Sequence, residues 1–309
     1  MTVQHVIVGA GPIGSATASL LSAAGQQVRI ITRSGGGPDL AGVELVKADA
    51  ADAARLSELT AGADVVYNCA NPPYHRWATD WPPLAASLLT AAEASGAVLA
   101  TVSNLYGYGR VSGPITEQTP LNPNGTKGRV RVTMWQDALA AHQDGRVRAT
   151  EVRGSDYVGG GAQGHLGDRV VPRILAGKGV QVLGAADQPH SWTFVDDVAR
   201  LLVAVGSDEQ AWGKAWHVPS NPPRTQRQAV DDLARVAGVT PVKTSVVPRF
   251  VLRVMAVFNQ QVRELPEVAY QLEQPFVMDS SAAERTFGLE PTPWDEVLAA
   301  TVAHYRAAG

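Results

Sequence analysis

The sequence predicts an α/β fold, a doubly wound parallel sheet joined to a smaller C-terminal region. Two observations lead there. A β-branched run, Val3 to Val8, passes directly into Gly9-Ala10-Gly11-Pro12-Ile13-Gly14 and then into Ser15 to Ala24, rich in Ala, Ser and Leu at helical spacing. The alternation of strand and helix then repeats, the pattern of a parallel sheet with helices on both faces.

Taken in order, Gly25 stands where a C-terminal cap closes the first helix, and Val28 to Thr32 is the next apolar run. Strand, turn, helix and strand thus fit within the length of one βαβ unit. Val43 to Lys47 reads as a strand, Ala51 to Leu59 as a helix and Asp64 to Cys69 as a strand. Pro83 to Ala94 reads as a helix, Ala97 to Val102 as a strand, Arg131 to His142 as a helix and Val147 to Val152 as a strand. Beyond this the pattern loosens. Gly159-Gly160-Gly161 and the glycine-rich stretch to Gly167 read as a mobile loop, Val195 to Val205 and Gln226 to Ala237 as helices, and Asn221-Pro222-Pro223 as a connection.

Composition narrows the function classes. The 309 residues carry 26 basic and 29 acidic side chains, a net charge of −3, so no general field draws in nucleic acid or an anionic membrane. A hydrophobic fraction of 45% against 18% charged is enough for a full core. The single cysteine, Cys69, rules out a disulfide framework and a multi-cysteine metal site. The seven histidines are scattered with no His-x-x-x-His pair, so no metal is expected. The first ten residues show no basic segment ahead of an apolar one, and no uncharged apolar run approaches about 18 residues. The expectation is a cytoplasmic protein with a small-molecule substrate and neither nucleic acid nor membrane as partner.

The glycine turn carries the chemistry. After a strand and ahead of a helix, Gly9 permits the tight turn, Gly11 lets backbone N–H groups approach a pyrophosphate, and Gly14 lets the helix pack on the strand. Pro12 and Ile13 open that helix, whose N-terminus stabilises phosphate charge. This is the Rossmann pattern. Where an NAD site places Asp or Glu on the ribose 2′-hydroxyl, the second strand ends in Arg33-Ser34, so a guanidinium and a hydroxyl stand ready for a 2′-phosphate and NADP is expected over NAD. Asp49 at the end of the third strand is a candidate for the adenine amino group, or for capping the helix that follows. Asn68-Cys69-Ala70 ends the fourth strand and would line the cofactor ribose. Cys69 has no activating neighbour in sequence and reads as a small packed residue.

Further motifs resemble a known family. Val102-Ser103-Asn104-Leu105-Tyr106-Gly107-Tyr108-Gly109 is similar to a Ser-containing strand ending in Tyr-Gly, Glu117-Gln118-Thr119-Pro120 to a Glu-x-x-Pro segment, and Val152-Arg153-Gly154-Ser155-Asp156-Tyr157-Val158-Gly159 to an Arg-containing strand with a nicotinamide-side loop. Trp192 to Ala199 is similar to a Val-Asp-Asp-Val-Ala signature, and Phe276-Val277-Met278-Asp279 with Phe287-Gly288-Leu289 to a closing strand and helix. Over almost its whole length the chain resembles the extended or atypical short-chain dehydrogenase/reductase superfamily, of the NAD-dependent epimerase/dehydratase type.

The resemblance implies a dinucleotide-binding domain over 1–155 plus about 190–220, with 156–189 and 221–309 forming a substrate-binding region that caps it. It also implies that the helices at 83–94 and 131–142 are those that pair relatives into dimers; their Ala- and Leu-rich faces permit a homodimer here. The family's chemistry uses Ser or Thr with Tyr-x-x-x-Lys. In this chain Asn104 falls at the Ser/Thr position, with Ser103 beside it, while Lys127 and Arg131 replace the Tyr and the Lys. Isoflavone-reductase-like members use a lysine in a similar Lys-x-x-x-Arg setting. Four residues apart on a helix, Arg131 would bring a fixed positive charge to Lys127 and favour loss of its proton.

Candidate substrate residues are Tyr74, His75, Arg76 and Trp77 after the fourth strand, with Tyr106 and Tyr157; Tyr108 reads as structural, and His165 is set aside because of its glycine-rich loop. The leading expectation is an NADP-dependent oxidoreductase that transfers hydride to or from a small carbonyl or alcohol. Asn104 would donate to the reacting oxygen and Lys127 would handle the proton. The alternatives are a nucleotide-sugar epimerase or dehydratase, and a non-catalytic NADP-binding sensor of NmrA-like type.

Overall fold

The first glycine turn organises the whole molecule. In the computed structural model, which describes residues 5–162 and 164–308, β1 (His5–Val8) lies at the centre of the sheet and α1 (Pro12–Ala23) leaves it at once. The first two residues of the expected strand and Gln163 in the glycine-rich stretch lie outside the described residues. β2 (Val28–Thr32) and β3 (Val43–Lys47) extend the sheet to one side. β4 (Val65–Asn68), β5 (Val98–Asn104), β6 (Arg148–Gly154) and β10 (Ala215–His217) extend it to the other. The order is β10-β6-β5-β4-β1-β2-β3 and every pairing is parallel, with Ile7 beside Ile30 on one side and Tyr67 on the other. β4, the central strand on the far side of β1, is fully buried, as a strand covered on both faces must be. Chain order reverses between β1 and β4, and open α/β sheets hold ligands at the carboxyl ends of strands at such a point.

Two apolar layers cover the sheet. On one face α1 packs with α6 (Val195–Ser207), burying Ala18, Leu21, Leu201, Leu202 and Val205 against Ile7, Ile30 and Tyr67. On the other, α2 (Ala53–Thr60), α3 (Trp77–Ser95) and α4 (Thr126–Gln143) bury Leu56, Trp77, Trp81, Leu88 and Met134 against Val6, Val66 and Leu99. The later segments form a third core. β7 (Asp156–Val158) pairs with β9 (Trp192–Phe194), and β8 (Val180–Val182) with β11 (Thr244–Val246). α5 (Val171–Leu175), α7 (Gln226–Val236) and α12 (Trp294–Ala307) surround them. α8 (Arg249–Phe258), α9 (Gln260–Val268) and α10 (Tyr270–Glu273) lead back across the carboxyl edge, and α11 (Ser281–Phe287) follows. No helix among the described residues is long and apolar enough to cross a membrane.

Three sequence expectations need correction. The helix expected from Pro83 begins at Trp77 and carries Pro82 and Pro83 inside it. Proline favours a first turn, but Trp77 and Trp81, one turn apart, bury both indoles, and that burial outweighs the backbone hydrogen bonds the prolines remove. The helix expected from Arg131 begins at Thr126, so Lys127 and Arg131 do share it; Gly128 lets its first turn touch the chain, a Cβ there falling 2.6 Å from the Tyr106 carbonyl oxygen. The closing segment Phe276–Asp279 is no strand. It makes single bridges, Phe276 to His190 and Met278 to Ile115, each to a different segment.

Candidate functional site

The crevice between β1 and β4 is built by glycines. Gly9 has φ +103, and a Cβ there would lie 2.8 Å from the Cys69 carbonyl oxygen and 2.9 Å from the Ala70 nitrogen. At Gly14 a Cβ would lie 2.0 Å from the Gly9 carbonyl oxygen, so α1 can pack this close only without a side chain. Gly11 differs: nothing stands within 4 Å of its Cβ position, it is exposed, and it caps α1 with no side-chain hydrogen bond. Pro12 occupies the first turn and Ile13 packs half-buried between two cores. The open space above Gly11, at a helix N-terminus whose first N–H groups have no side-chain cap, fits a dinucleotide pyrophosphate.

Around that cradle, Arg33 and Ser34 are exposed at the end of β2. Ser34 Oγ accepts from the Gly36 N–H at 3.1 Å, whereas the Arg33 guanidinium has no hydrogen bond or ion pair among the described residues. Asp49 is exposed and accepts from the Ala51 N–H at 3.0 Å; the cap of α2 is Asp52, which accepts from Arg55, so the helix begins later than expected. Asn68 is buried, its Oδ1 3.3 Å from the Ala70 N–H. Cys69 is half-buried, and desolvation pushes its thiol up to about 12, against a hydrogen bond to Thr17. A thiol held protonated is no nucleophile.

A second cluster lies beyond β4 and β5. The Tyr74 hydroxyl donates to that of Tyr106 at 3.1 Å, and burial pushes both phenols well above the usual tyrosine range, with Asp156 adding to the effect. Lys127 is only 2% exposed; its ammonium pairs with Glu264 and, at 3.3 Å, with Glu267, and it stands 4.6 Å from the centre of the Tyr74 ring. Glu267 also accepts from the Lys127 backbone N–H at 2.5 Å. Arg131, 7% exposed, lies between Trp77 and Trp81 at 4.6 and 4.4 Å and donates to the Val102 carbonyl at 3.3 Å. Its Nε has no partner among the described residues, and burial lowers its proton affinity. The two cations therefore leave α4 toward different partners and do not form the like-charge couple their spacing suggests, because α9 supplies carboxylates to one and α3 supplies indoles to the other.

The remaining candidates divide. Asn104 Oδ1 accepts from the Tyr106 N–H at 3.1 Å, which turns its amide nitrogen away from that turn. Tyr157 donates to the Ser103 carbonyl, and burial holds its phenol above the usual range against the nearby charge of Arg131. The segment Tyr74–Trp77, expected as one substrate loop, is split. Tyr74 faces Tyr106, His75 and Arg76 are exposed, Arg76 pairs with Asp80 at 2.9 Å, and Trp77 belongs to the core.

Four residues of the neighbourhood escape sequence reasoning. Glu264 and Glu267 clamp Lys127 from far along the chain. Asp156, inside a recognised motif, is flanked by two imidazoles: His165 Nδ1 stands 2.8 Å from Oδ1, and His190 Nε2 2.6 Å from Oδ2 in a poorly aligned contact. Burial opposes ionisation of Asp156, but the imidazoles outweigh it and hold the carboxyl below the usual carboxylate range. Burial likewise opposes the charged form of His165, yet Asp156 outweighs it and the imidazole is held above its ordinary value. The depressed carboxyl contributes stability that is present above about pH 4 and lost as pH falls through its folded value. The raised imidazole contributes below about pH 6.5, and that part is lost as pH rises through its folded value.

Tyr108 is buried within a hydrogen-bonded network. Its hydroxyl accepts from Arg153 at 2.7 Å and donates to His217 Nε2 at 2.8 Å, while His217 Nδ1 donates to the Asp279 carbonyl at 2.8 Å. Burial lowers His217 to about 4, so the neutral ring serves both bonds. Arg153 is paired in turn with Glu151 at 2.6 Å.

Comparison with known proteins agrees with this architecture. The chain is 20% or so identical to several solved enzymes over nearly full length. It is similar to dTDP-glucose 4,6-dehydratase from Streptomyces venezuelae, solved with NAD and TYD bound (21% identity, 98% of this chain and 97% of that one, TM-score 0.78). It is similar to UDP-glucose 4-epimerase from Thermotoga maritima, solved with UDP-glucose (17%, 99% of each chain, TM-score 0.81). It is similar as well to UDP-glucuronic acid 4-epimerase from Bacillus cereus, solved with UDP-glucuronic acid and NAD (18%, 99% and 100%, TM-score 0.78). At these identities the likeness is one of fold. No curated protein matches the chain in sequence. The family match runs over residues 5–218, more than half of the chain, and on that ground the protein belongs to the NAD-dependent epimerase/dehydratase family.

Proposed function

We propose that the protein is a nicotinamide-dinucleotide-dependent oxidoreductase acting at a hydroxyl or carbonyl carbon of a small polar substrate. The observation that carries this reading is the open cradle above Gly11, in the turn whose Gly9 packs against Cys69 and Ala70 at the end of β4. Gly11 and the N-terminus of α1 would hold the pyrophosphate, Asn68, Cys69 and Ala70 would line the ribose, and Asp49 would meet the adenine amino group. The bound nicotinamide supplies or accepts the hydride. The chain's own residues do the rest. Asn104 and the buried ammonium of Lys127 would stabilise negative charge on the reacting oxygen, Arg131 would add a fixed positive charge, and Tyr74, Tyr106 and Tyr157 would position the substrate.

NADP is the proposed dinucleotide, since Arg33 is an exposed guanidinium with no hydrogen bond or ion pair among the described residues and Ser34 stands beside it. Arg33→Asp is expected to weaken NADPH binding about tenfold or more while leaving NADH nearly unchanged, one charge-assisted hydrogen bond being worth about 1.5–3 kcal/mol. Fluorescence titration of both dinucleotides measures it, and equal losses would remove the role of Arg33.

The reading is tested by single-turnover absorbance at the reduced-nicotinamide band across carbonyls, alcohols and sugar nucleotides. Lys127→Met is expected to slow turnover about 10²-fold with dinucleotide affinity retained. A protein that binds NADPH tightly, never oxidises it with any substrate and is indifferent to Lys127 would be a sensor. A second reading, epimerisation or dehydration of a sugar nucleotide with the dinucleotide recycled, is favoured by the family match over residues 5–218. It predicts product without net change in the reduced-nicotinamide absorbance.

A further inference from the structure

The geometry points to His165 as the acid–base residue of this site, oriented by Asp156. The inference rests on the dinucleotide reading above and adds to it the group that takes and returns the proton. His190 is 1% exposed; its Nδ1 lies 3.1 Å from the Gln271 carbonyl oxygen and its Nε2 lies 2.6 Å from Asp156 Oδ2. The second contact is poorly aligned and is no hydrogen bond, so it fixes no proton on that nitrogen.

His165 is placed differently. Its Nδ1 faces Asp156 Oδ1 at 2.8 Å, which fixes a proton on that nitrogen. Its Nε2 has no partner among the described residues, and the side chain is 22% exposed. A ring held by a carboxylate at Nδ1 and open at Nε2 is arranged as general acid–base imidazoles are.

The surroundings put this pair beside the site. Asp156 directly follows β6 and Ser155, and its charge is felt at Tyr106 and Tyr74. The glycine loop that carries His165 runs past the cradle, a Cβ at Gly161 falling 3.5 Å from the Pro12 ring. The charged groups around His165 are Asp156 on β7, Arg169 on its own loop and, through Asp156, His190 from the segment before β9. Among the described residues no three such groups converge as metal ligands. Lys127 is clamped by two carboxylates, whereas His165 Nε2 is open: a substrate hydroxyl gives its proton to Nε2 as the carbon's hydride passes to the oxidised dinucleotide and the carbonyl forms, and Nε2 returns the proton in the reverse direction.

The test reads the His165 imidazole by NMR pH titration, with His165→Gln identifying its signal. In the free protein the midpoint is expected above about 6.5, and Asp156→Asn is expected to lower it. Saturation with NADP⁺ rather than NADPH is expected to lower it by roughly half a pH unit, since only the oxidised ring carries a positive charge. His165→Gln should keep the NADPH affinity of the wild type and lose the part of the stability that pairing with Asp156 contributes below about pH 6.5. In turnover it should lose the pH-dependent limb that matches the NMR midpoint. Identical midpoints with the two dinucleotides, or a midpoint insensitive to Asp156→Asn, would overturn the inference while leaving the dinucleotide reading intact. Failure of wild type to bind either dinucleotide would overturn both.

Discussion

Glu151→Ala is expected to destabilise the protein by about 3–5 kcal/mol, the cost of leaving a buried cation without its counter-charge. Glu151 and Arg153 have side chains only 3% and 5% exposed and meet at 2.6 Å on one face of β6. The rings of Tyr108 and Trp135 lie 5.1 and 5.6 Å from the Arg153 guanidinium and cannot supply the lost charge. Urea unfolding of the variant measures the loss. The double variant Glu151→Leu/Arg153→Met, which removes both charges at similar volume, should recover most of it. If the single variant unfolds within 1 kcal/mol of wild type, roughly the scale of an exposed pair, the Tyr108–His217 network rather than the ion pair holds β6 to β10.

The second large effect separates two uses of glycine in one turn. Gly14→Ala places a methyl group 2.0 Å from the Gly9 carbonyl oxygen, so α1 must shift off the sheet. Overpacking of this kind costs about 1–3 kcal/mol, and the displaced helix N-terminus should lose at least about tenfold in NADPH affinity, as the two effects share one cause. Gly11→Ala meets nothing within 4 Å and has φ −69, so the fold should tolerate it. Its stability change should stay within about 0.5 kcal/mol. Its NADPH affinity should nonetheless fall, because the methyl enters the space where the pyrophosphate approaches. Thermal unfolding beside fluorescence titration distinguishes the two. Unchanged affinity in Gly11→Ala would mean that no phosphate lies above that residue.

Much of the fold was legible in the residues. The glycine turn, the β-branched runs and the helical spacing of Ala and Leu are local signals, and β1, α1, β2, β3 and β4 follow within a few residues of expectation. The start of α3 was not, since proline's local preference pointed to residue 83 while the burial of Trp77 and Trp81 is a property of the assembled core. For the site the boundary is similar. Gly9, Gly11, Gly14 and the position of Lys127 and Arg131 on one helix could be read from spacing. The carboxylates that clamp Lys127 stand 137 and 140 residues away, and His190 lies beyond α5 and β8 from Asp156.

The sequence by itself determined the sheet's class, the strand–turn–helix that opens it, and the cations and tyrosines offered to a ligand, because periodicity and backbone sterics act over a few residues. Tertiary structure alone decided how those charges are compensated: Lys127 by α9, Arg131 by two indoles, Asp156 by two imidazoles. A charge buried away from water must find a counter-charge or a polarisable face wherever the fold brings one within a few ångströms, and no sequence spacing specifies that neighbour.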